Sequence, residues 1–130
     1  MDQAFWYIID NGLATSKSYP TKNTNETQPC KYTKTIKAIT FSKCADVPEG
    51  NYTKLLSAVI QQPTSVAIDA RNIQHYEGGV YNGECSDSYI NQAMLIVGYG
   101  TNKKNETYWK IKNSFGPGWG EEGYLLLERE

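Results

Sequence analysis

Two alternating apolar–polar stretches, Gln92 to Tyr99 and Thr107 to Lys112, are separated by the polar run Thr101-Asn102-Lys103-Lys104-Asn105. Alternation with a period of two puts one face of a strand against a core. A short polar break between two such stretches turns the chain back on itself, so the pattern predicts a β-hairpin. A third strand pattern, Tyr124 to Leu127, follows the glycine-rich turn Gly116-Pro117-Gly118-Trp119-Gly120. This part of the chain is therefore built as sheet.

The upstream part reads differently. Ala4, Phe5, Ile8 and Ile9 recur at helical spacing, Asn11-Gly12 is a helix stop, and Asp2 is placed to serve the helix start. Ile36, Ala38 and Thr40 alternate with Lys37 and Ile39 as a short strand. Tyr52 to Gln61 sets Leu55, Leu56, Val59 and Ile60 on one helical face, and Pro63 ends that helix; Val66 and Ile68 then read as a strand. Two helices with several antiparallel strands make an α+β class. At 130 residues the expectation is a single domain, 1–130, long enough for one core.

Composition excludes several function classes. A hydrophobic fraction of 39% with net charge −1 argues against both disorder and a nucleic-acid partner. The densest basic pair, Lys103-Lys104, reads as a solvated loop. No apolar run reaches the roughly eighteen residues a membrane span requires. Met1-Asp2-Gln3-Ala4 lacks the charged-then-apolar pattern of a secretory signal, although sequons stand at Asn25, Asn51 and Asn105. Cys30, Cys44 and Cys85 lie in Pro-Cys-Lys, Lys-Cys-Ala and Glu-Cys-Ser contexts. They match no metal-ligand spacing, no metal or other cofactor is implied, and ordinary free or buried thiols are expected. His75, the one histidine, reads as a surface residue.

Several short phrases carry a family resemblance. Met1-Asp2-Gln3-Ala4-Phe5, Asn11-Gly12, Ser18-Tyr19-Pro20 and Pro29-Cys30-Lys31-Tyr32 come first. Ala58-Val59-Ile60-Gln61-Gln62-Pro63-Thr64-Ser65-Val66-Ala67-Ile68-Asp69-Ala70 and Tyr76-Glu77-Gly78-Gly79-Val80-Tyr81 with Cys85 follow. Ile90-Asn91-Gln92-Ala93-Met94-Leu95-Ile96-Val97-Gly98-Tyr99-Gly100 and the stretch from Tyr108 through Asn113-Ser114-Phe115 to Tyr124 complete the set. In order and spacing these resemble the papain-like cysteine peptidases of the cathepsin L and plant papain branch. The resemblance covers nearly all of this chain but only the C-terminal half of the family's domain, the right-hand, antiparallel β-barrel-like half with flanking helices.

The resemblance also implies roles. Gln92 stands where the family carries its catalytic histidine, and Asn113 where it carries the asparagine that orients that imidazole. The histidine holds a thiol as thiolate and later protonates the leaving amine. A carboxamide has no protonation equilibrium near neutral pH and can do neither. Gln92 facing Asn113 predicts instead an amide–amide hydrogen bond. Phe115 replaces the family's usual tryptophan, keeping apolar cover without the indole donor. Trp119 matches a family residue near the primed substrate sites, with core packing as its other reading, while Asn91 and Ala93 flank Gln92 as candidate groove residues. His75 corresponds to a segment away from the cleft centre.

The family's nucleophile lies in a Gln-x(5)-Cys-Gly-Ser-Cys-Trp signature at a helix N-terminus, a setting that lowers the thiol pKa and supplies oxyanion donors. Residues 1–130 contain no match to it. The resemblance pairs Cys30 and Cys85 with cysteines outside this chain. The expectation is a non-catalytic papain-like piece serving as a binding or structural subunit, its face toward the absent half covered by a protein partner. The alternative is half of a papain-type endopeptidase completed by another chain or by upstream sequence, Met1 being then an internal methionine. Family membership would suggest a lysosomal, vacuolar or secreted location, with no signal visible.

Overall fold

The computed structural model describes residues 1–21 and 29–129, so the sequon at Asn25 lies outside the described residues. The chain divides into two compact units, Met1–Asp46 and Val47–Glu130.

The first unit opens with helix α1, Asp2–Asn11. Asp2 does not cap it: the N-cap is Met1, which offers no side-chain acceptor, and Asp2 instead places negative charge in the first turn. Phe5, Ile8 and Ile9 are half-buried, and Phe5 packs its ring 5.8 Å from that of Phe41. Gly12 stops the helix as expected, at φ 86°, with its N–H on the carbonyl of Ile8 at 2.8 Å. A Cβ there would lie 2.6 Å from Cγ of Lys37, so conformation and close approach both call for glycine. Strand β1, Leu13–Ala14, pairs antiparallel with β2, Lys37–Ile39. The expected strand began one residue too early. Ile36 closes a 3₁₀ turn, Lys34–Ile36, and Thr40 lies past the strand with its hydroxyl donating to the carbonyl of Ile8 at 3.0 Å.

The second unit begins with helix α2, Tyr52–Gln61, whose N-cap Asn51 accepts the backbone N–H of Lys54 through its side chain at 2.9 Å. Gln62 is extended, as a residue before proline must be, which ends the helix. Val59 is buried and Leu55 and Leu56 pack against the core, but Ile60, expected on the same face, is 62% exposed. It lies one residue, about 100°, past Val59, beyond the edge of the apolar stripe.

The sheet contains β3 (Thr64–Ile68), β4 (Val80–Tyr81), β5 (Gln92–Thr101), β6 (Thr107–Lys112) and β7 (Tyr124–Glu128), in spatial order β3-β5-β6-β7-β4. Its pairings are antiparallel except that of β4 with β7, which is parallel. The hairpin predicted from alternation is β5–β6. Its loop is closed by Asn102, whose Oδ1 accepts the N–H groups of Lys104 and Glu106. The register shifts between Ile96 and Gly98, leaving Val97 as the extra residue of a bulge. Met94 and Ile96 of β5, Trp109 and Ile111 of β6, and Leu125 of β7 form the inward rows, and Val59 of α2 packs against them. Removing this apolar surface from water, at about 25 cal/mol per Å², holds the unit together.

Candidate functional site

The inward rows of β5 and β6 both end on a primary amide. Met94 and Ile96 continue toward Gln92, and Trp109 and Ile111 toward Asn113, while Leu95 opposite Lys112 is the last paired position of the hairpin. The side chains of Gln92 and Asn113 are thus brought together just past the paired ladder. Nε2 of Gln92 donates to Oδ1 of Asn113 at 3.2 Å, the amide–amide bond expected from the sequence. The same nitrogen lies 3.4 Å from the Ala93 carbonyl and from Oγ of Ser114.

Asn113 is held from several sides. Its N–H donates to the carbonyl of Gly123 at 3.0 Å, and its Oδ1 also accepts the N–H of Ser114 at 2.7 Å. Its Nδ2 is buried with no hydrogen-bond partner among the described residues. Neither amide titrates, so the pair can exchange hydrogen bonds but cannot shuttle a proton.

The other expected residues fall in different places. Asn91 is exposed, and its side chain is tied to the end of β3: Oδ1 accepts the N–H of Ala70 at 2.8 Å, while its own backbone N–H donates to the Ile68 carbonyl at 3.1 Å. Ala93 is exposed and opposite Ala67 of β3. Phe115 is 44% exposed and stands edge-on to Trp119, with ring centroids 5.3 Å apart. Trp119 is only 9% exposed; its indole N–H donates to the carbonyl of Ile73 at 3.0 Å, and Tyr76 packs on its other side at 5.4 Å. Its burial and hydrogen bond fit the core-packing reading, and the ring of Phe115 packs against it. His75 is exposed in a turn. Cys30 and Cys85 are exposed and Cys44 is half-buried, all three as free thiols.

Sequence reasoning missed a polar bracket beside the site. Asp69, just past β3, is 6% exposed, and its carboxylate takes Nε and Nη2 of Arg71 at 2.9 and 2.7 Å. It also accepts the N–H groups of Arg71 and Ser86. The guanidinium hydrogen bond from Arg71 is the main reason the Asp69 carboxyl sits at about 2 rather than its ordinary value, against the opposing effect of burial. Arg71 lies 3.9 Å from the centre of the Tyr89 ring. The bracket ties the end of β3 to the segment leading into Asn91. Its one local signal was the Asp69-Ala70-Arg71 spacing. A hollow of about 150 Å³ lies alongside, walled by Ala67, Ile68, Tyr81, Ile90 and Leu125, with Cys85 at its margin.

Comparison with known proteins places this geometry in a family. The papain family cysteine protease model matches residues 1–130. The chain is similar to a cathepsin L of Sarcophaga peregrina, 42% identical over 134 residues that cover 99% of this chain and 39% of that protein. It is also similar to a cathepsin L-like protein of Caenorhabditis elegans, 44% identical with the same coverage. Among solved structures, the bromelain protease of Ananas comosus in complex with the E64 inhibitor superposes with a TM-score of 0.88. It is 38% identical, over 98% of this chain and 59% of that one. Digestive procathepsin L 3 of the Tenebrio molitor larval midgut gives a TM-score of 0.90 at 38% identity, over 100% of this chain and 43% of that one. The α+β arrangement is therefore part of the papain fold, and the chain spans 39% of the length of each of the two curated relatives. This chain belongs to the papain family of cysteine proteases.

Proposed function

We propose that residues 1–130 are a partial C-terminal papain-family domain without hydrolytic activity of its own, acting as a binding or structural subunit. The observation that carries this reading is the amide pair. Gln92 occupies the position of the general base, and its Nε2 is engaged with Oδ1 of Asn113 at 3.2 Å. An amide in that place neither activates a thiol nor protonates a leaving amine. The pair gives Gln92 Nε2 and Asn113 Oδ1 a partner where the inward rows of β5 and β6 end, which is a structural role.

A partner fits the surface as well as the sequence. In the first unit Trp6 and Ile39 are each 58% exposed, with Tyr7 at 47% and Leu13 at 46%. Large apolar side chains gathered in so short a unit are what a covering protein surface would bury. Ala93 and Phe115, both exposed, remain as candidate contacts beside the amide pair.

The second reading is half of a papain-type endopeptidase, completed by another chain or by upstream sequence. The coverage is what prompts it: 99% of this chain aligns to 39% of each of the two curated relatives, a share that fits both readings. One experiment separates the two. The native protein is isolated without denaturant, what accompanies it in fixed ratio is identified by mass spectrometry, and the preparation is treated with a thiol-directed epoxide inhibitor. A partner or extension bearing Cys-Gly-Ser-Cys-Trp that takes up the inhibitor at its cysteine supports the second reading. Unrelated stoichiometric partners with no labelled cysteine support the first.

A further inference from the structure

Two of the three sequons lie within the described residues, and the structure treats their asparagines alike. Asn51-Tyr52-Thr53 begins α2 and Asn105-Glu106-Thr107 ends the β5–β6 loop. Both asparagines are exposed. Asn51 uses only its oxygen, Oδ1, to cap the helix, and its Nδ2 has no hydrogen-bond partner among the described residues. In the hairpin loop the polar closure falls to Asn102, whose Oδ1 takes two backbone N–H groups and whose Nδ2 donates to Oε2 of Glu106 at 2.6 Å. Asn105, at φ 66°, makes no side-chain hydrogen bond among the described residues. Asn91 and Asn113, whose side-chain oxygens are committed to the fold, stand in no sequon.

The two acceptors also lie close along the chain to one feature, Asn51 beside Tyr52 and Asn105 at the loop that joins the strands of Tyr99 and Trp109. Tyr52, next to Asn51, packs 5.8 Å from Trp109, and Tyr99 packs 6.1 Å from the same indole. The guanidinium of Arg129 lies 4.9 Å from the Tyr99 ring and 5.9 Å from that of Tyr52, while the Arg129 carbonyl accepts the hydroxyl of Thr107. Tyr52 and Tyr99 remain 41% and 45% exposed. Sugar C–H faces stack on such rings, so a glycan on either side would cover them.

We propose that Asn51 and Asn105 are N-glycan acceptors whose sugars shield this aromatic end of the second unit. The donor class is a lipid-pyrophosphate-linked oligosaccharide. Nδ2 forms a bond to the anomeric carbon, the carbon–oxygen bond to pyrophosphate breaks, the lipid pyrophosphate leaves with the electron pair, and an amide proton passes to a base of the transferase. Thr53 and Thr107 provide the hydroxyl that the acceptor motif requires. A sugar on Nδ2 leaves Oδ1 of Asn51 free to cap α2. The modification places the chain in a secretory lumen during synthesis and puts any partner on another surface. It does not depend on the function proposed above.

The test uses native protein, treated with peptide N-glycosidase in oxygen-18 water beside an enzyme-free control and read by peptide mass spectrometry. Enzyme-dependent conversion of both Asn51 and Asn105 to oxygen-18 aspartate is the expected result. Unconverted asparagine at either position overturns the assignment there. Equal label in the control would reveal spontaneous deamidation and overturn it as well.

Discussion

Gln92 and Asn113 lie 21 residues apart in sequence and share one hydrogen bond, Nε2 to Oδ1 at 3.2 Å, where the inward-facing rows of two paired strands run out. The position has two properties at once. It is polar enough to need an internal partner, and it is neutral at every pH at which the fold exists.

Gln92→His should therefore fold and remain inactive. An imidazole can donate to Oδ1 of Asn113 in place of the amide, so stability should change by no more than about 1 kcal/mol, the usual net worth of one hydrogen bond. The variant chain by itself should not cleave a dipeptidyl fluorogenic substrate, because no thiolate partner stands opposite the new base. Turnover by the purified variant chain would sink this expectation.

Trp119→Phe isolates the indole N–H. The ring volume is largely kept, and the Ile73 carbonyl keeps the backbone N–H of Tyr76 at 3.1 Å, so the change should be about 0.5–1.5 kcal/mol, the net worth of one hydrogen bond. Trp119→Ala also opens space beneath Phe115 and beside Tyr76 and should cost about 3–5 kcal/mol. Urea unfolding followed by circular dichroism would rank the two. Equal losses would mean that the hydrogen bond, and not packing, accounts for the effect.

Acid should weaken the second unit through Asp69. Its carboxyl is lowered from 3.8 to about 2 in the folded chain, chiefly by the Arg71 guanidinium. A depressed acid contributes stability that is complete above its unfolded value and is lost as pH falls through the folded one. The loss should fall between about pH 4 and pH 2. Asp69→Asn, which keeps an acceptor but no charge, should be less stable at neutral pH and should show a flatter stability profile across that window. An unchanged acid limb in Asp69→Asn would place the titration elsewhere.

Gly120→Ala should be among the costlier single-methyl additions. The residue sits at φ 57°, and a Cβ would come within 2.7 Å of both the backbone carbonyl of Tyr124 and the Tyr76 ring. Backbone cannot yield as a flexible side chain does, so strain and clash together should exceed about 2 kcal/mol. Gly118→Ala, with open space at its Cβ, should be nearly neutral by the same denaturant titration.

Legibility followed the range of the interaction. The β5–β6 hairpin, the Gly12 stop and the apolar face of α2 from Leu55 to Val59 all depend on residues a few positions apart, and all could be read from spacing. The misreadings sit at edges. Ile60 lay one step past the buried stripe, and Ile36 was absorbed into a 3₁₀ turn ahead of its strand. The hydrogen bond from the Ala70 N–H to Asn91 Oδ1 spans 21 residues and left no local signal at all.

Sequence alone determined the strand alternation, the family motifs and the presence of a carboxamide at position 92, because each is a property of residue identity and local order. Tertiary structure decided what those residues touch. It put Trp119 in the core by a hydrogen bond across 46 positions, laid β4 parallel to β7, and joined Asp69 to Ser86 across 17. A side chain's burial and its partner depend on which distant segment the fold brings beside it, and no local period carries that information.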